Sequence, residues 1–441
     1  MLLMDLMIIW GVAIVLFLLL AIPFIGKKRE LEKHTEKADQ RAHDYGLKEP
    51  VSLHPIVNPD ICIGSAGCIA ACPEQDVLGL RNGQAVPVSP AHCIGHGLCE
   101  RSCPVDAITL VFGSEKRGVE IPRIKENFET NVDGIYIVGE LGGMGLIRNC
   151  FEQGRQCIEY ISEEKRETNP DALDAVIVGC GPAGLSATIY GKTHDLNIKT
   201  IEREDIGGTV RYYPRKKLVM TQPLKIPGYG SIHRSEISKE ELMELWSDIV
   251  EKLDLSIQTG ETVAKILQNE DDTLTVKTNK GRYLTNRVVL AIGRRGTPRK
   301  LNIPGEELPN VAYSIREPDQ FSQNKMTVVG GGDSAIEAAL ALKDQPGNTV
   351  RVSYRREHFH RIKPVNQQKI NKAVEQGEIE VLWSTNVIEN HPDHIVLKKD
   401  NGEEFTLEND YLFIFAGGVL PTPFLKKVGI KIDTKFGEPV R

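Results

Sequence analysis

The stretch DAVIVGCGPAGLSATIY, residues 174–190, decides the reading of this chain. A short apolar run ends in Gly179, Gly181 and Gly184 and passes into a helix-forming segment. That order is a strand, a tight turn and a helix. The first glycine permits the turn, the second lets backbone approach a pyrophosphate, and the third lets helix and strand pack closely, while the helix N-terminus favours phosphate charge. The next strand, IKTIE, ends in Glu202, at the position where a carboxylate bonds ribose hydroxyls. Further on, KMTVVGGGDSAIEAALAL (325–342) repeats the pattern with Gly330, Gly332 and Ala335 in the turn. Two dinucleotide sites are therefore expected. The strand after the second turn runs into VRVSYRREHF, so Arg355 and Arg356 stand where an acidic residue would otherwise hold a 2′-hydroxyl. Guanidinium forks there suit a 2′-phosphate and favour NADPH over NADH.

Upstream, ICIGSAGCIAACP (61–73) and HCIGHGLCERSCP (92–104) share the spacing C-x5-C-x3-C-P. Two-cluster bacterial ferredoxins use C-x2-C-x2-C-x3-C-P, with three thiolates on one cluster and the fourth reaching to its twin. The repetition predicts two iron–sulfur clusters held by Cys62, Cys68, Cys72, Cys93, Cys99 and Cys103. The second cysteine of the pattern is replaced twice, by Ser65 and by His96. Each site then takes a three-iron cluster, a four-iron cluster with Ser65 or His96 as the odd ligand, or no cluster at all. A loop hydroxyl bonding nearby backbone is the competing role for Ser65, and a solvated imidazole the one for His96.

The 441 residues carry a net charge of −6 with mixed signs, which argues against nucleic acid as a partner. Three of the nine cysteines, Cys150, Cys157 and Cys180, lie scattered outside the runs, so a disulfide framework is not expected. Leu6 to Ile25 is an uncharged apolar stretch long enough to cross a bilayer as a helix; a secretory signal peptide is the rival reading, against which no basic residue precedes the run and no small-residue cleavage site follows it. Lys27, Lys28 and Arg29 follow it directly, so the positive-inside rule leaves the rest of the chain on the cytoplasmic side. Residues 30–50, rich in charge, read as a solvated helical stalk or linker.

Taken in order, VVLAIGRRGTPRKLNIPGEELPNV (288–311), the VVGGGDSAIEAA turn and YRREHF resemble the thioredoxin-reductase-like flavoproteins. The resemblance implies that the first glycine turn binds FAD and the second NADPH, with Gly207, Gly208 and Gly293 joining the FAD site. It also implies that NFETNVDGIYIVGELGGMGLIRNCFEQGRQCIEYI (127–161) is the segment closing the FAD domain, with Gly139 and Glu140 touching the flavin. In the family that segment is C-terminal and the pair is Gly-Asp. Here it precedes the first glycine turn, as in a circular permutation, which would bring the end of the chain close to residues 119–127.

The fold class expected is α/β: two Rossmann-like domains of the thioredoxin reductase type, a small α+β ferredoxin-like domain and one N-terminal transmembrane helix. The boundaries follow as anchor 1–26, linker 27–50, ferredoxin-like domain 51–112, closing FAD segment 113–168, FAD domain 169–298, NAD(P)H domain 299–410, and a return to the FAD domain over 411–441. The family's redox C-x-x-C is missing, since NVAYSIREPDQFSQNK (310–325) contains no cysteine. No catalytic triad or zinc motif stands out, so the catalytic residues are unassigned and the cofactors carry the reaction. An oxidoreductase moving electrons between NADPH, FAD and paired clusters, with a quinone, ferredoxin or small protein as acceptor, is the expectation. A disulfide or small-acceptor reductase with vestigial clusters and a nucleotide-binding redox sensor are the alternatives. A homodimer rests on family analogy alone.

Overall fold

In the computed structural model the described residues are 2–439, except 45–46, 49, 51–52, 75, 94, 96, 116–117, 144, 165–168, 214–217, 221–223, 233–235, 295, 316 and 360–361. The chain divides into two units, residues 1–119 with 435–441, and residues 120–434.

The first unit begins with one helix, Leu2–Asp44, that contains Pro23. Anchor and stalk are thus a single element, and the expected solvated linker is corrected: from Lys28 onward the helix packs on the cysteine-bearing module. Thr35, Ala38 and Ala42 are buried on one stripe at three- and four-residue spacing. The Thr35 hydroxyl accepts from the Leu80 amide at 2.9 Å, and the Glu32 carboxylate accepts from Gly83 N at 2.9 Å. Leu80 and Gly83 belong to the hairpin Leu78–Arg81/Gln84–Pro87, whose turn residues Asn82 and Gly83 both have positive φ, as a two-residue type I′ turn requires. A Cβ on Gly79 would lie 2.5 Å from the Thr35 methyl, so only glycine lets helix and hairpin come this close. The charge-rich composition of 30–50 concealed this narrow apolar face. The unit is completed by an antiparallel sheet in the order Leu53–Val57, Ile108–Phe112, Glu438–Pro439, whose third strand comes from the chain's far end.

The second unit holds two five-stranded parallel sheets. One runs Ile257–Gln258, Ile198–Ile201, Ala175–Val178, Val288–Leu290, Ile135–Ile137. Its last strand precedes the first glycine turn in the chain. The other runs Val311–Ala312, Tyr411–Ile414, Lys325–Val329, Thr349–Tyr354, Ile379–Trp383. Strands buried on both faces read as continuous apolar runs, which AVIV and YLFI are. The expected boundary at 410/411 therefore falls one strand early: Tyr411–Ile414 pairs with Lys325–Val329 and belongs to the second sheet. The return to the first sheet comes afterwards, where Leu425 and Ile430 join the core beneath Val288 and Leu290. Strand Ile432–Lys435 pairs with Val119–Pro122, and Arg123 bonds Asp433 through both nitrogens at 2.7 and 2.9 Å. Residues 432–435 thus meet 119–123, while Arg441, the residue expected near 119–127, lies outside the described residues.

Candidate flavin, nucleotide and cluster sites

Between strand Ala175–Val178 and helix Pro182–Thr193 the backbone turns at Gly179, φ +96°. A Cβ on Gly184 would stand 1.8 Å from the Gly179 carbonyl oxygen, so Gly184 serves helix–strand packing. Gly181 differs: a Cβ there would meet only Gly208 Cα, at 3.8 Å, and would otherwise project into a cavity of about 510 Å³. That volume suits a cofactor. Gly139, Glu140, Gly179, Gly181, Glu202, Gly208 and Gly293 all line this cavity, which brings together positions spread over 155 residues of sequence. Gly207 does not line it. It shapes the wall instead, with φ +112° and its amide donating to the Cys180 carbonyl at 2.9 Å.

Glu202 is buried, and its carboxylate accepts from Cys180 N at 2.6 Å and Glu204 N at 2.9 Å. These bonds hold it at the strand end beside the glycine turn. Glu140 follows Gly139, whose Cβ position lies 3.0 Å from the Ala183 Cβ, and its carboxylate lies between Gly145 and Gly293. Burial raises its pKa above the ordinary carboxylate value, and the guanidinium of Arg294 opposes the rise. Bare glycine backbone at one end, a fixed carboxylate beside it and a long cavity fit FAD.

Three supporting residues escaped the sequence reading. Gly154, in helix Ile147–Glu163, would place a Cβ 2.2 Å from the Ala183 carbonyl oxygen, so that helix lies directly on the one after the glycine turn. The Gln153 side chain accepts from Gly139 N at 2.8 Å and holds the Gly139 turn. Arg294 is the cationic neighbour of Glu140. A glycine in mid-helix was the only visible signal among them.

In the second sheet, Gly330 turns at φ +142°, and a Cβ there would meet the Phe415 carbonyl oxygen at 2.5 Å. Gly332 has open space at its Cβ position, and Ala335 is fully buried beneath the turn. The helix Asp333–Lys343 follows, with Asp333 accepting from Lys363 N at 2.8 Å and from the Asn366 amide at 2.6 Å. Arg355 and Arg356 are exposed just past strand Thr349–Tyr354. A glycine turn with open space at Gly332, followed after the next strand by two exposed arginines, fits NADPH.

The cysteine runs cross. Cys62, Cys68 and Cys103 line one small cavity together with Ser65. Cys93 has Cys99 and Cys72 as its thiol neighbours, and Cys99 has Cys72 ahead of Cys68. Each set therefore takes two thiols from one run and the pre-proline cysteine of the other, the arrangement of two-cluster ferredoxins. Backbone amides point at the sulfurs: Ala85 N at 3.4 Å from Cys62 Sγ, Gly95 N at 3.4 Å from Cys93 Sγ and Ala107 N at 3.2 Å from Cys103 Sγ. Such donors stabilise sulfur-borne negative charge. Burial pushes the free thiols of Cys99 and Cys93 up to about 11 and about 12, so iron must displace their protons. Among the described residues no three His, Cys, Asp or Glu side chains close on a single ion, and a cluster several atoms across asks for a wider ring. Ser65 is exposed and its hydroxyl accepts from Gly67 N at 3.4 Å. His96 lies outside the described residues.

The family model of the pyridine nucleotide-disulphide oxidoreductases matches residues 176–440. The chain belongs to this family. A 4Fe-4S dicluster domain model matches residues 54–104. Among curated relatives, ferredoxin–NADP reductase of Ignicoccus hospitalis is 31% identical over 271 residues, covering 59% of this chain and 83% of its own. Bacilliredoxin reductase Bdr of Bacillus subtilis is 27% identical over 269 residues, covering 60% and 83%. Among solved structures, the bacillithiol disulfide reductase Bdr of Staphylococcus aureus superposes with a TM-score of 0.52 at 27% identity, covering 59% of this chain and 81% of that one. This family member is an NAD(P)H-dependent flavin oxidoreductase that also carries a 4Fe-4S domain, and its cofactors are FAD, NADPH and iron–sulfur clusters.

Proposed function

We propose that the chain is a membrane-anchored oxidoreductase linking NADPH, through FAD, to its own pair of clusters and from there to a further acceptor. The crossed cysteine sets carry this reading, since a cluster pair in the same chain as a flavin cradle supplies a one-electron relay. FAD held by this cradle would supply hydride exchange with NADPH and one-electron exchange with iron–sulfur centres. One relative bears the name ferredoxin–NADP reductase, and here a ferredoxin-like module is covalently joined to the reductase. Tethering replaces a bimolecular encounter by an effective concentration on the order of millimolar.

The chain's own residues divide the work. Gly179, Gly181 and Gly208 offer bare backbone to the pyrophosphate, Glu202 holds the ribose, and Gly139, Glu140 and Gly293 complete the lining of the flavin site. Gly330 and Gly332 receive the NADPH phosphates over buried Ala335, and Arg355 and Arg356 hold the 2′-phosphate. Cys62, Cys68 and Cys103 hold one cluster and Cys72, Cys93 and Cys99 the other, with Ser65 and His96 at the odd positions. The order of the FAD segments is that of a circularly permuted flavoprotein, supported by strand Ile135–Ile137 at the sheet edge and by the pairing of 432–435 with 119–122. The helix Leu2–Asp44 is long and apolar enough to cross a membrane, with mean hydropathy 2.2 in its apolar window, and Lys27 to Arg29 orient the remainder toward the cytoplasm.

A disulfide reductase would need a thiolate near the flavin. The cavity's Cys150 is buried and its thiol pushed up to about 12, and burial raises Cys157 and Cys180 further, so these thiols stay protonated. The test is anaerobic titration with NADPH, following flavin absorbance and the cluster EPR signal together. Flavin bleaching followed by a reduced-cluster signal is expected. Bleached flavin over persistently oxidised iron ends the proposal.

A further inference from the structure

The apolar run of the N-terminal helix ends at Ile25, and the face that packs on the cluster module begins at Lys28, less than one turn later. No free stalk separates them. Lys28 and Glu32 meet the hairpin tip: Gly83 N donates to Glu32 at 2.9 Å, and Lys28 Nζ lies 3.1 Å from where a Cβ on Gly83 would stand. That tip touches the first cysteine loop. The Gly83 carbonyl oxygen lies 1.7 Å from where a Cβ on Gly64 would stand, and the Gln84 amide donates to the carbonyls of Pro59 at 2.6 Å and Cys62 at 3.2 Å. The second run is tied to the other end of the helix. Ala91 N donates to the carbonyl of Leu47, beyond Asp44, at 3.2 Å.

At 1.5 Å per residue, Lys28 and Glu32 lie roughly 5 and 10 Å past Ile25 along the axis. A headgroup layer is about 5–8 Å deep on each side of the hydrocarbon. Ile61 and Ile63, either side of Cys62 in the loop that the hairpin tip touches, are 44% and 64% exposed. Lys27 and Arg29, also exposed there, complement anionic headgroups.

We propose that the first cysteine loop docks through Ile61 and Ile63 into the lipid interface of the membrane that the helix crosses, making the Cys62, Cys68, Cys103 site the membrane-proximal one and the Cys72, Cys93, Cys99 site the membrane-distal one. This rests on the membrane reading above. The occupant is lipid, because the exposed isoleucines sit in the loop touched by a hairpin tip that Lys28 and Glu32 hold within two turns of the span.

The full chain is reconstituted in vesicles of mixed neutral and anionic lipid, brominated near the headgroup or unbrominated. Emission added by Ile63→Trp, and separately by Ile61→Trp, is read as the difference from the unsubstituted chain. Glu100→Trp, in the exposed part of the second run, serves as the distal reference. Loss of the emission added by Ile63→Trp or Ile61→Trp in brominated vesicles, with that of Glu100→Trp unchanged, is the expected result. If both isoleucine variants are as unquenched as Glu100→Trp while the protein stays in the vesicles through alkaline carbonate, the docking is overturned and the membrane reading stands. Extraction of the unsubstituted chain by carbonate defeats the membrane reading, and the docking with it.

Discussion

Replacing Thr35 in two ways separates a packed helix from a stalk. Its hydroxyl donates to Leu31 O at 2.8 Å and accepts from Leu80 N at 2.9 Å, and the residue is 2% exposed. Thr35→Val keeps the shape and removes the oxygen, leaving the Leu80 amide buried without its acceptor, which costs about 1–3 kcal/mol. Thr35→Ser keeps the oxygen and loses one methyl, costing about 0.8 kcal/mol. The valine variant should therefore be the weaker protein, with its first-unit transition lower by roughly 8 °C for a 2 kcal/mol loss, and the serine variant lower by roughly half that or less. Thermal loss of cluster absorbance near the visible sulfur-to-iron bands reads the transition. If both variants melt with the parent, the helix is not packed on the hairpin. If serine is the more damaging, the hydroxyl is not the bond that matters.

The crossed ligation predicts how single cysteine losses group: Cys103→Ala should share the EPR defect of Cys62→Ala, and Cys72→Ala that of Cys93→Ala, whereas uncrossed ligation pairs Cys72 with Cys62. In the flavin-free protein, burial raises the carboxyl of Glu140 above its ordinary 4.5, against the pull of Arg294 and with Cys150 adjacent, so the folded state binds a proton more readily than the unfolded chain. Stability from this group is then present at low pH and falls as pH rises from 4.5 through the raised value. Glu140→Gln should flatten that fall in urea midpoints, and an unchanged slope refutes the assignment. Arg355→Ala should raise the KM for NADPH about tenfold, the loss of one charge-assisted bond, and leave that for NADH nearly unchanged. Equal effects on both dinucleotides would show that the guanidinium does not read the 2′-phosphate.

Sequence alone determined whatever depends on local backbone geometry. Gly179 and Gly330 must turn at positive φ, the strand–turn–helix order surrounds them, and the doubled cysteine spacing implies crossing, because each of these constraints acts within a few residues or repeats identically. Tertiary structure decided the rest. Thr35 becomes a buried position only against a hairpin more than forty positions away, where Gly79 makes room for it. Tyr411–Ile414 could have entered either parallel sheet by its apolar pattern, and only its pairing with Lys325–Val329 assigns it. Gly154 and Gln153 serve the flavin cavity through a helix that must first lie against Ala183. A glycine's dihedral preference is carried by the residue itself, whereas a contact partner is chosen by the packing of the whole chain.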